Sequence, residues 1–160
     1  MTLLEQKVDA IAQSLLAKDT AERDVALAEL KVLMSADRSQ DDRKSVAEQV
    51  DKCLLDLGVP ERLIGYLYLR EAIREVVKDP GLVFKITTDL YPRVAEAFGT
   101  TKSRLERAIR SAIETGWDRC DYETQVAYFG NTVSPNKGRP TNGEYIAKLA
   151  SIVRSRLGGA

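Results

Sequence analysis

The 160-residue chain has no histidine and only two cysteines, Cys53 and Cys120, far apart in sequence. Zinc and most transition-metal sites draw on histidine and cysteine at short spacings, so this composition argues against a metal centre. There is no glycine-rich phosphate loop and no cluster of carboxylates. With no histidine, no such loop and no clustered carboxylates, an enzyme is not expected, and neither is a catalytic residue or a cofactor. No run approaches the ~18 apolar residues of a membrane span. No basic segment followed by an apolar core opens the sequence, so neither membrane insertion nor a secretory signal is expected. The cytoplasm is the expected compartment, where a disulfide does not persist. Net charge is zero, with 24 basic and 24 acidic side chains, which speaks against a uniformly basic nucleic-acid coat.

What is present is helical grammar. Hydrophobic residues make up 44% and charged residues 30% of the chain, ordinary for a globular protein. No stretch reads as a strand, and no internal repeat or low-complexity tract occurs. Residues 94–117, VAEAFGTTKSRLERAIRSAIETGW, read as a helix-turn-helix. Val94, Ala95 and Phe98 close a first helix. Gly99 stands where a chain leaving a helix needs positive φ. Thr100 and Thr101 offer hydroxyls to cap the next helix. There Leu105, Ala108, Ile109, Ala112 and Ile113 repeat at three and four, leaving Lys102, Ser103, Glu106, Arg107 and Arg110 on the opposite face. Any two amphipathic helices joined by a glycine turn share part of this pattern, so the spacing alone leaves a plain helical hairpin open.

Around this centre the chain divides in two. Leu4, Val8, Ile11 and Leu15 form one helical stripe. Asp19 and Glu22 have capping-box spacing and open a second helix striped by Leu27, Leu30 and Met34. A short polar link around Lys18 to Thr20 makes an antiparallel hairpin, read either as a cap on the main domain or as a dimerisation element. Ser35 to Lys44 is polar and reads as a linker. The expected division is 1–44, hairpin and linker, and 45–160, the helix-turn-helix domain. In the latter, Val46, Val50, Cys53, Leu54 and Leu57 line a helix ended by Gly58 and Pro60. Leu63, Leu67, Ile73 and Val77 stripe the next, with Tyr66 and Tyr68 on its flanks. A fifth helix is expected from about Leu82 to Phe98, with Pro92 kinking it or restarting it. Residues 121–129 form a short helix ended by Gly130. Asn131 to Pro140 is a turn-rich loop, and Thr141 caps a last helix carrying Tyr145, Ile146, Leu149, Ile152 and Val153.

Charge is unevenly spread. Residues 1–50 carry 10 acidic and 7 basic side chains, whereas residues 135–160 carry five basic (Lys137, Arg139, Lys148, Arg154, Arg156) and one acidic (Glu144). A basic C-terminal segment beside a recognition helix suits phosphate contacts, and a solvated helix face would look the same.

Three segments, GVPERLIGYLYLREAI, ITTDLYPRVAEAFGTTKSRLERAIRSAIETGW and FGNTVSPNKGRPTNGEYIA, together resemble the C-terminal effector domain of the sporulation master regulator of endospore-forming Firmicutes, the stage zero sporulation protein A family. The resemblance spans about residues 46–157, in order. It implies an all-α bundle around a helix-turn-helix that binds double-stranded DNA at TGTCGAA-like boxes, often as a head-to-tail dimer. By match to the family motif, Ser103, Arg104, Glu106 and Arg107 would face the bases. Thr101, Lys102, Arg110, Lys137, Arg139, Thr141 and Asn142 would serve the sugar–phosphate backbone. The region from about Tyr122 to Val133, with Tyr122, Glu123 and Gln125 outward, matches the surface that meets the RNA polymerase sigma subunit. The chain departs from the family's full-length pattern at its N-terminus. About 45 helical residues stand where the family carries an α/β receiver domain, so phosphorelay control does not carry over.

The residue types suit the chemistry. Arginine can bridge guanine O6 and N7, and Glu106 can accept from a cytosine amino group. Glu106 paired with Arg107 or Arg110 as a helix-surface ion pair, worth ~0.2–0.5 kcal/mol, is the plainer alternative. The expected function is a sequence-specific transcription regulator. The alternative is an interaction module or antagonist that competes with, or binds, a related regulator or sigma factor. The hairpin is expected to make the chain a homodimer.

Overall fold

The computed structural model describes residues 2–15, 20–130 and 138–158. Helices α1 (Leu3–Leu15), α2 (Thr20–Asp56), α3 (Ile64–Lys78), α4 (Tyr91–Ala97), α5 (Lys102–Arg119), α6 (Tyr122–Phe129) and α7 (Asn142–Arg156) follow in order. No strand occurs among the described residues, so the protein is all-α. Among the described residues, no helix is long and apolar enough to cross a membrane. Two compact units are distinguished, residues 1–44 and 45–160.

In the first unit, α1 and the start of α2 bury little. Ile11 and Ala26 are buried, whereas Leu3, Leu4, Val8, Val25, Leu27, Val32 and Met34 are exposed. Lys7, Ala10 and Ile11 on α1 and Ala28, Glu29, Val32 and Leu33 on α2 line one groove of about 560 Å³. The link at Lys18, the capping box of Asp19 with Glu22, and the Leu15 side chain lie outside the described residues.

The segment expected as a linker, 35–44, is helical, and α2 runs unbroken from Thr20 to Asp56. The reason lies in its composition. SADRSQDDRK holds no glycine or proline, and its alanine, arginines, glutamine and lysine are good helix formers. Polarity removes a packing partner, but it does not break the internal hydrogen bonds of a helix.

The second unit is built on fully buried side chains. Among them are Leu54 and Leu57 from α2, Leu69 and Ile73 from α3, Leu105, Ile109 and Ile113 from α5, and Tyr145, Ile146 and Leu149 from α7. Each aliphatic one contributes roughly 1.5–3 kcal/mol through burial. The α3 stripe differs from the expected one. Tyr66, Leu69, Ile73 and Val76 point inward while Leu67 is exposed. Both phases keep helical period, and only the positions of α5 and α7 choose between them. The expected fifth helix is also divided. A 3₁₀ turn, Pro80–Phe84, and a π-helical turn, Ile86–Leu90, precede α4. Asp79 caps the first by accepting from Gly81 N at 3.1 Å, and Pro92 lies in the first turn of α4, where its missing N–H is not needed.

One glycine sets the separation of α3 and α5. A Cβ on Gly65 would overlap the Ala108 backbone carbonyl and stand 2.7 Å from Ala112 Cβ. At the opposite end, the Tyr128 hydroxyl donates to Asp56 Oδ2 at 2.6 Å and accepts from Arg156 Nη2 at 3.3 Å. That network joins α2, α6 and α7. Burial, then the Asp56 bond, push the Tyr128 phenol upward, so it stays protonated as the donor this bond needs.

Candidate nucleic-acid interface

The helix-turn-helix forms from α4, the turn and α5. Thr100 N donates to Ala95 O at 2.9 Å and Gly99 N to Glu96 O at 3.2 Å, closing α4. Gly99 has φ +63° and open space around it, as a helix-ending turn requires. Thr101 then caps α5, its Oγ1 accepting from Arg104 N at 3.2 Å. Leu105, Ile109, Ala112, Ile113 and Gly116 are buried on one face of α5. Lys102, Ser103, Arg104, Glu106 and Arg107 are exposed. Three cations and one carboxylate at the start of α5 give that end a positive balance, which its helix dipole reinforces.

Beside this face runs a groove of about 660 Å³. It brings together Ser103, Glu106, Arg107 and Arg110 of α5 with Thr141, Asn142 and Gly143 at the start of α7, with Ile86 and Thr87 from before α4 and with Tyr91, its first residue. Thr141 caps α7 by accepting from Glu144 N at 3.1 Å. Two contacts brace α7 against α5. Asn142 Nδ2 donates to Glu106 O at 3.2 Å, and Arg110 Nη1 donates to Pro140 O at 2.7 Å while its Nε meets Glu114 Oε1 at 2.9 Å. Arg110 and Asn142, expected to contact the DNA backbone, line the groove and also brace the two helix ends. Tyr91 is buried at the groove. Burial raises its phenol pKa, the Asn142 side chain opposes that, and the Glu106 carboxylate adds to it.

Arg139 is held by Asp118, with Nη2 at 2.8 and 2.9 Å from the two carboxylate oxygens and Nε at 3.2 Å from Oδ1. The bonds to Asp118 raise the guanidinium pKa further. Lys137 lies outside the described residues.

On α6, Asp121 caps the helix by accepting from Thr124 N at 2.7 Å, and the bonds to Thr124 lower its carboxyl pKa. Tyr122 and Glu123 are exposed. Gln125, expected to face a partner, is half-buried and turns its amide inward, donating to Trp117 O at 2.9 Å and Cys120 O at 3.3 Å. Carbonyls at the end of α5 run short of intrahelical donors, Trp117 O accepting from the capping Cys120 N at 3.3 Å, and Gln125 adds a donor to it and to Cys120 O. Residues 131–133 of that expected surface lie outside the described residues.

Among the described residues, no group of three or more Asp, Glu or Cys side chains could hold a metal. The sequence reading missed Ile86, Thr87, Tyr91 and Gly143 as groove-lining residues, and missed Asp118 as the partner of Arg139. Their positions depend on which helices meet, and no local spacing carries that. Among known proteins, the family model described as "Sporulation initiation factor Spo0A C terminal" matches residues 50–153.

Proposed function

The chain belongs to this family of DNA-binding sporulation-regulator domains, and we propose that it is a transcription regulator that reads TGTCGAA-like boxes in double-stranded DNA. The observation that carries this reading is the exposed face of α5, with Ser103, Glu106 and Arg107 along a groove whose far wall is the capped start of α7, and with Arg104 exposed on the same helix. In it, α5 enters the major groove. Arg104 and Arg107 bridge guanine edges, and Glu106 accepts from a cytosine amino group while penalising other bases. Thr101, Lys102, Lys137, Arg139 and Thr141 serve the phosphates, with free N–H groups of the first turn of α7 beside them. A mobility shift with a TGTCGAA duplex and a scrambled duplex, at two salt concentrations, tests it. Equal affinity for both duplexes would remove sequence reading from the assignment.

The outward face of α6, Tyr122 and Glu123, is proposed as the contact for the RNA polymerase sigma subunit, supported by its exposure and by the family. Glu123→Lys should leave DNA affinity intact and reduce promoter activation in reconstituted transcription. Unchanged activation would count against that contact. DNA binding without activation by the native chain would identify an antagonist that occupies the boxes.

A further inference from the structure

We propose that Asp118 is an intramolecular competitor for DNA phosphate, holding the fork of Arg139 so that contact with the duplex requires exchange of one oxyanion for another. The inference rests on the DNA-binding reading and names a control on that same site. Arg139 meets both oxygens of Asp118, at 2.8 and 2.9 Å through Nη2, with Nε at 3.2 Å. This fork, with its parallel N–H donors, is the feature of arginine that matches phosphate oxygens. While Asp118 occupies it, a phosphate finds those donors already engaged.

The position of the pair supports a competitor over a base reader. Asp118 lies eleven residues beyond Arg107, about 16 Å along the helix axis, so it is far from the side chains assigned to the bases. The backbone beside Arg139 is anchored at one point, where Arg110 holds the Pro140 carbonyl at 2.7 Å. Exchange is therefore a swing of the Arg139 side chain. Both partners are open to solvent, with side-chain exposures of 39% and 59%, so phosphate can reach the pair and displace the carboxylate. Glu114, one turn earlier on α5, engages Arg110 at 2.9 Å. The C-terminal half of α5 thus offers carboxylates to two arginines of the α5–α7 region.

Phosphate contacts carry no sequence information, so the competitor lowers affinity for every duplex by the same factor. Removing it strengthens binding uniformly. An exposed ion pair contributes little, which sets the expected gain at about two- to fivefold.

Fluorescence anisotropy on the full chain tests this with four proteins: native, Asp118→Asn, Arg139→Gln and the double variant, each against box and scrambled duplexes. Asp118→Asn should tighten binding to both duplexes by a similar factor, Arg139→Gln should weaken both, and the gain should vanish in the Arg139→Gln background. A gain in affinity does not arise from misfolding. Absence of any gain, a gain confined to the box, or a gain that persists beside Arg139→Gln would overturn the proposal, the last reducing Asp118 to a general negative charge. A native chain that binds neither duplex would sink the DNA-binding reading together with this one. Binding that Arg139→Gln weakens but Asp118→Asn fails to strengthen sinks only this one.

Discussion

Arg107 and Arg139 are of one residue type, and both are exposed, yet they stand in different settings. Arg107 stands on α5 at the groove, without a salt bridge among the described ion pairs. Arg139 stands before α7 in a forked pair with Asp118. If α5 reads bases, Arg107→Ala should lose roughly 1–3 kcal/mol of discrimination between the box and a mutated box. Arg139→Ala should weaken all duplexes alike and shallow the logarithmic salt dependence by about one unit. Titrations over a salt series separate the two. Equal losses on specific and nonspecific DNA for both variants would refute this division of labour. Arg107 was legible before any fold was known, because helical spacing places it opposite an apolar stripe, and Arg139 stood out in the basic C-terminal segment and by match to the family motif. The partners Asp118, Pro140 and Glu106 were not legible. The contacts join residues 21, 30 and 36 positions apart, and local spacing does not encode such distances.

At the scale of elements, what decides the aim of α5 is its crossing with α3. Gly65 has no room for a methyl group beside the Ala108 carbonyl and Ala112 Cβ. Gly65→Ala should therefore force the helices apart. An overpacked core costs about 1–3 kcal/mol, a fall in Tm of roughly 2–12 °C for a domain of this size. It should also weaken DNA binding through displacement of α5. Gly99→Ala is the comparison. It meets no neighbouring atom but carries φ +63°, so its cost of roughly 1 kcal/mol comes from backbone strain at the turn alone. Thermal unfolding of both variants, read beside their DNA affinity, distinguishes crowding from strain. A Gly65→Ala protein as stable as the native chain would show that the crossing is slack. The glycine turn and the Thr101 and Thr141 caps were readable in the sequence because each acts within four residues. The inward phase of α3 and the break at Pro80–Leu90 were not, since competing packings differ only in what lies opposite them.

For the whole molecule, the open question is what covers residues 1–44. Seven large apolar side chains there are exposed, and Ile11 and Ala26 are the buried apolar residues among those described. We propose that a second copy's hairpin packs on this surface, as in a four-helix bundle. Lys7 and Glu29 both border its groove, which allows charge pairing across a two-fold axis. Joining two DNA-binding units would raise the effective concentration of the second at tandem boxes. Light scattering at tens of micromolar should show a dimer for residues 1–160 and a monomer for residues 45–160. A monomeric full-length chain would leave the hairpin without this role.

The sequence by itself determined the all-α class, the helix-turn-helix with its caps, the family and the candidate DNA-reading face. The first two follow from periodicity and from interactions within one or two helical turns, and the family and the candidate face from the resemblance of three segments. The same local rules misplaced the linker, since SADRSQDDRK lacks apolar partners yet retains everything a helix needs. Only the tertiary structure decided which face of α3 is buried. Only it gave Arg110, Asn142 and Gln125 their backbone-carbonyl partners and brought Asp118 to Arg139. Each of these outcomes depends on backbone carbonyls and carboxylates from other elements, and a polar side chain takes whichever partner the packing of helices leaves within reach.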